Sequence, residues 1–192
     1  RIFSISSFES PLLAVMVIGT RQLGLFILMH DAAHGLLHPN RRLNDAVGYW
    51  LCSSTLRDYR PYHLQHHRYV QQVEDPDLVL SAPFPISRAS LGRKLWRDLS
   101  GQTFFKQRVS PLLDRLQAGP AKATTAGALQ RNTQEVARDR RFWIGNALGL
   151  ALFAAAGFGW VWLLMWLLPM VCWLPLVFRI RNIAEHALVG LN

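Results

Sequence analysis

The residues able to do chemistry in this chain are its histidines. His30 and His34 stand in the run HDAAHGLL, residues 30–37, and His63, His66 and His67 stand in HLQHH, residues 63–67. On a helix, positions i and i+4 share a face. The pairs His30/His34 and His63/His67 can therefore each aim two imidazoles at one point, with His66 beside them at i+3. Neutral imidazole nitrogen is a ligand for iron, copper, zinc and nickel alike. A lone H-x3-H also occurs at ordinary polar helix ends, but two such clusters point to a shared metal. All seven histidines fall at positions 30, 34, 38, 63, 66, 67 and 186, leaving long stretches with none.

The elements that must position them are apolar helices. From Pro11 to Met29 the chain is hydrophobic except for Arg21 and Gln22. At a rise of about 1.5 Å per residue this run measures about 28 Å, close to a bilayer core of about 30 Å. A central arginine costs about 2.5–3.5 kcal/mol in lipid, so the face bearing Arg21 is expected to turn toward other helices. Residues 142–178 carry no charge at all. One helix of that length would be about 55 Å long, so two crossings are expected, turning at Gly157-Phe158-Gly159. Pro169 and Pro175 should kink the second crossing, and Arg179 and Arg181 should end it. The even number of crossings returns Asn182, Glu185 and His186 to the face that holds the other histidines, and Asn182 and His186 are again spaced i,i+4.

Composition narrows the class. The chain has 192 residues, 51% of them apolar, a net charge of +9 and two cysteines. Cys52 and Cys172 make no closely spaced metal or redox motif and read as small apolar residues. Residues 38–141 hold most of the Lys and Arg, but acidic residues are mixed among them and no stacking-aromatic or groove-helix motif accompanies them, so nucleic acid is not an expected partner. A cytosolic stretch explains the same bias through the positive-inside tendency. Within it, ISRASLGRKLWRDL can lie on a membrane surface, and residues 117–134 read as a small, polar linker. Residues 1–10 show no signal peptide. The division expected is one partial domain over 1–192, with a transmembrane helix at 11–29, a cytosolic cap and linker at 38–141, a transmembrane hairpin at 142–178 and a cytosolic segment at 179–192. The fold class expected is all-α: integral membrane helical hairpins with a cytosolic helical cap.

HDAAH, then YRPYHLQHHRYVQQVEDPDL, then RIRNIAEHA after a hydrophobic hairpin, resembles the membrane fatty-acid desaturase family, especially its bacterial members. The resemblance implies a diiron centre of two non-haem iron ions, dioxygen as co-substrate, and insertion of a double bond into a lipid acyl chain. By position, the metal ligands it implies are His30, His34, His63, His66, His67 and His186, with Asn182 reached through water. Asp31, Asp75, Asp77 and Glu185 are the nearest carboxylates to hold the rings in one tautomer, although Asp75-Pro76-Asp77 is also a turn former. His38 lies outside the pattern. Arg57, Arg60 and Arg68 flank the second cluster and read as solvated charges, with a headgroup phosphate, an acyl carrier or an acidic donor as their functional alternatives. The resemblance also implies an electron donor such as ferredoxin or cytochrome b5. A high Arg-to-Lys ratio points to a bacterial inner membrane, with the metal site facing the cytoplasm.

The third histidine box of that family, a further H-x2-H-H, does not occur in this sequence. Truncation is the expected reason, with the first crossing clipped as well, so the chain alone is expected to hold an incomplete metal set and to be inactive. Two other functions fit the same residues. A membrane hydroxylase or ketolase acting on alkane, sterol or carotenoid would use the same centre, and a redox-inert metal-binding membrane protein would need only three or four of the histidines.

Overall fold

The computed structural model describes residues 9–51, 56–70, 72–78, 85–110, 112–113 and 140–186. The linker expected at 117–134 lies outside them. Among the described residues all regular structure is helical.

Helix α1, Glu9–His34, carries the first apolar run and continues past it, so that His30 and His34 occupy its last turns. It is apolar around most of its circumference: Leu12, Leu13, Val17 and Ile27 are all exposed, Leu12 by 62%. A helix apolar all round needs either a protein core or lipid about it, and α1 is long enough to cross a bilayer. Arg21 departs from its expected place, since it is exposed. The neighbouring Gln22 turns inward instead, only 4% exposed, and its Nε2 donates to the Trp166 carbonyl at 2.9 Å. A neutral amide can be satisfied by one carbonyl, whereas a buried guanidinium needs a counter-charge.

Gly35, at φ +79°, ends α1. It donates to the Ala32 carbonyl at 3.1 Å while Leu36 N–H reaches back to Asp31 at 2.9 Å, the left-handed glycine cap that stops a helix abruptly. Asn40 then starts helix α2, Arg41–Leu51, its side-chain oxygen accepting from the N–H of Arg42 at 2.9 Å. Helix α3, Leu56–Arg68, bears the second histidine cluster with Pro61 inside it. Helix α4, Arg88–Leu99, is capped by Ser87. The short helix α5, Gln102–Phe104, widens into a π turn over Phe105–Val109.

The charge-free stretch forms helix α6, Arg140–Ala155, then a turn, then one helical run, α7, over 159–186. The turn falls at the expected glycine: Gly157 has φ +81°, and Phe158 N–H returns to the Phe153 carbonyl at 2.7 Å. Instead of stopping at Arg179, α7 continues through Arg179 and Arg181 to His186. Its middle is wound as two π turns, Leu163–Leu167 and Pro169–Trp173. Pro169 has no N–H to give, and the wider turns carry the helix past it. Residues of α7 from Gly159 to Glu185 are long and apolar enough to span a bilayer, while the apolar part of α6, Phe142–Ala155, is shorter.

Two apolar clusters hold these helices together. One gathers Met29, Ala32, Ala33 and Leu56, with Tyr59 and Leu37 against it. The other gathers Leu23, Met170 and Leu174, with Phe104, Phe142 and Trp166 against it. Phe26 packs on both, and meets Phe178 of α7 edge to face with ring centroids 5.8 Å apart. On α4, Asp98 is fully buried and receives both Nε and Nη2 of Arg179, the latter at 2.9 Å. That ion pair explains why Arg179 does not end α7: its charge is neutralised by a helix 81 residues away.

Candidate metal centre

The last turns of α1 and the second half of α3 face each other, and their histidines converge. Single ligand atoms of His30, His34, His63 and His67 all lie within 4.8 Å of one another. His63 Nε2 stands 3.0 Å from His34 Nε2 and 3.0 Å from His67 Nε2. Ring centroids are 4.5 Å apart for His30–His63 and for His63–His67. His63 is buried, His30 and His34 half-buried and His67 exposed, so the cluster is closed beneath and open on one side.

Electrostatics keep the His63 ring available as a ligand. Burial, and then the neighbouring imidazoles His30, His67, His34 and His66, push His63 down to about 3. A neutral ring keeps a lone pair for a metal. Tyr59 stacks on it with centroids 5.0 Å apart and planes 12° from parallel, and burial pushes the Tyr59 hydroxyl above its ordinary range, so it stays protonated.

His66 turns a different way from its neighbours. Its Nδ1 is 2.7 Å from Asp75 Oδ1, and both side chains are buried. The same carboxylate oxygen accepts from Asp77 N–H at 2.8 Å, while Tyr62 donates to the Asp77 carboxylate and Gln65 Nε2 to the Glu74 carbonyl at 3.1 Å. Asp75-Pro76-Asp77 is thus both a turn and the partner of His66. Asp31 Oδ1 lies 3.0 Å from His30 Nδ1. A carboxylate on Nδ1 leaves Nε2 as the atom with which such a ring could face a metal.

The other expected residues are placed as follows. Asn182 lines a cavity beside α7. Glu185 accepts from Arg181 Nε on its own helix at 2.8 Å. His186 closes α7, and its side chain lies outside those described, as does that of Arg57. His38 stays in the loop and accepts from Asn40 N–H at 2.9 Å. Arg60 is a correction. Instead of a solvated charge it is a half-buried one, donating to the carbonyls of Ala33 at 2.9 Å and Ala32 at 2.8 Å and to Asp45 at 3.0 Å. Asn44, fully buried, gives its Nδ2 to Ala32 at 2.8 Å and takes the N–H of Leu37 at 3.1 Å. Sequence reasoning missed Asn44 and Asp45. An Asn-Asp pair early in an amphipathic helix was the available signal, and it reads equally well as ordinary surface.

A cavity of about 540 Å³ lies among α1, α4, α6 and α7. Leu25, Phe26, Phe142, Trp162, Trp166, Met170, Leu174 and Phe178 make its wall apolar and aromatic, and Lys94, Arg108, Arg179 and Asn182 add polar groups. Along α1, Phe26 lies one turn before His30.

Taken together, these features define a helical, membrane-associated protein with a histidine cluster that could hold a metal ion, set beside an apolar cavity. The family model for fatty acid desaturases matches residues 9–190, and the chain belongs to that family. It is similar to a chloroplastic omega-3 fatty acid desaturase of Brassica napus, 32% identical over 98 residues that cover 50% of this chain and 22% of that protein. It is also similar to the beta-carotene ketolases of two Paracoccus strains: 40% identical over 65 residues, 31% of this chain and 27% of the relative, for strain N81106 / MBIC 01143, and 37% over 81 residues, 38% and 34%, for strain PC1. The matched stretches thus span about a fifth to a third of these relatives. No solved structure matches the chain.

Proposed function

We propose that the chain carries out oxygen-dependent desaturation of a lipid acyl chain at a non-haem diiron centre. The observation that supports this best is the convergence of His30, His34, His63 and His67 on one point within 4.8 Å. This donor set fits iron: neutral nitrogen, no thiolate, and carboxylates behind the rings of His30 and His66. His30, His34, His63, His66, His67 and His186 would hold the metal, with Asn182 acting through water. When bound, two iron ions would supply the dioxygen-binding site and relay the donor's electrons to dioxygen, which then takes two hydrogens from adjacent methylenes. The balance is one alkene and two waters from one dioxygen, two external electrons and two protons, so an electron donor such as ferredoxin or cytochrome b5 is required.

The chain's own residues do the rest. Asp31 and Asp75 hold His30 and His66 by Nδ1, Tyr59 stacks on the His63 ring and holds its orientation, and the aromatic cavity, whose wall includes Phe26, takes the apolar tail and excludes water. The setting is a bacterial inner membrane with the cluster at the cytoplasmic face. A second reading, a ketolase or hydroxylase on a carotenoid, is favoured by the likeness to the two beta-carotene ketolases. Both are tested by supplying the gene product that carries these residues, in membranes, with a reductase, ferredoxin and a panel of lipids. Desaturation predicts products lighter by two hydrogens and two irons per protein. Oxygen-bearing products would favour the second reading, and a redox-inert zinc centre would exclude both.

A further inference from the structure

The two histidine pairs belong to different helices, and their 3.0 Å contact needs α1 and α3 to keep a fixed register. The geometry points to Arg60 as the positioning residue that sets this register, and so the affinity of the site for metal. The inference rests on the metal reading above.

Arg60 lies on α3 one turn before His63, while the carbonyls it binds belong to Ala32 and Ala33, two of the three residues between His30 and His34. Its fork therefore joins the backbone segment that carries the first pair to the helix that carries the second. The C-terminal carbonyls of a helix are short of partners and bear partial negative charge, which a guanidinium answers. The remaining donors of the fork meet Asp45 on α2, whose carboxyl is held down to about 2, chiefly by that hydrogen bond. Asn44, beside it, binds the same Ala32 carbonyl. Three helices thus meet at two peptide groups of α1. No other side chain could do this alone: an ammonium has no planar fork to bridge two carbonyls and a carboxylate together.

Two measurements on the whole protein in lipid nanodiscs separate this proposal from the metal reading. Amide hydrogen exchange in residues 33–37, without metal, reads the clamp itself. Titration with cobalt(II), followed by its d–d absorption, reads the consequence for the imidazoles. Arg60→Lys keeps the charge and protects folding, Arg60→Leu removes the group, and Asn44→Ala removes the accessory bonds to Ala32 and Leu37. For both Arg60 variants we expect faster exchange at 33–37, cobalt affinity lower by about 10–100-fold and an altered d–d spectrum, with a smaller change for Asn44→Ala. Should Arg60→Leu fail to fold, Arg60→Lys carries the comparison. Faster exchange with unchanged cobalt affinity and spectrum would overturn the positioning role while leaving the metal centre standing. Weaker cobalt binding with unchanged exchange would overturn the clamp as its cause. A wild-type protein that binds no cobalt would remove the metal reading, and the inference with it.

Discussion

His63 stands at the middle of the imidazole cluster, and the pH behaviour of the metal-free protein depends on it together with His34, whose value burial also lowers. The folded value of His63 is pushed down to about 3 from an ordinary 6.5. The unfolded chain therefore binds more protons than the folded one between those limits, and stability must fall as pH drops through that window. We expect the urea midpoint of the metal-free protein to decrease from pH 7 to pH 5, and His63→Gln to flatten that dependence. An equal slope in the variant would assign the effect elsewhere. The ligand set makes a second prediction at this scale. His30→Ala, His34→Ala, His63→Ala and His67→Ala should each lower metal affinity by more than about 100-fold, beyond what loss of an outer partner causes. His38→Ala should leave it unchanged, because its ring is occupied in the 38–40 turn. Metal content by elemental analysis of the purified variants decides.

At the scale of elements, α4 is fixed to α7 by one buried ion pair. The Asp98 side chain is 0% exposed and that of Arg179 25%, and Thr103 Oγ1 adds a bond to Asp98 at 2.5 Å. Removing one partner of a buried pair strands the other, at a cost of about 3–5 kcal/mol. Asp98→Ala should therefore destabilise strongly in thermal unfolding, while Asp98→Leu combined with Arg179→Met should recover much of the loss. A double variant no better than Asp98→Ala would show that packing of α4, and not the stranded charge, carries the effect. Arg179 also lines the cavity, so the same single variant should alter lipid binding.

For the molecule as a whole, α1 and α7 run in the same direction. Gly19 meets Trp173 so closely that an added Cβ would come within 2.7 Å of the indole, and further along Phe26 meets Phe178. Their ends toward His34 and His186 therefore share one side, which the turn at Gly157 cannot. In a background lacking Cys52 and Cys172, single cysteines at Ser90 and Ala184 should be labelled from one face of the membrane and a cysteine at Gly157 from the other. Ser90 and Ala184 on opposite faces would dismantle the shared site.

What this sequence determines by itself is local. The i,i+4 spacing of His30/His34 and His63/His67 is enough to place each pair on one helix face, because helical periodicity depends on near neighbours only. For the same reason the turn was readable at Gly157, where a left-handed residue ends α6, and the all-helical class was readable from the uninterrupted apolar runs. Tertiary structure alone decided which face of α1 turned inward, putting Gln22 rather than Arg21 against Trp166, 144 residues away. It alone decided that Arg60, one arginine among eighteen in the chain, would reach the carbonyls of Ala32 and Ala33, and that Arg179 would find Asp98. These pairings depend on where two helices cross and on how each is rotated about its axis. No spacing within either helix encodes that; it is set by the fit of side chains such as Phe26, Met170 and Trp173 between them.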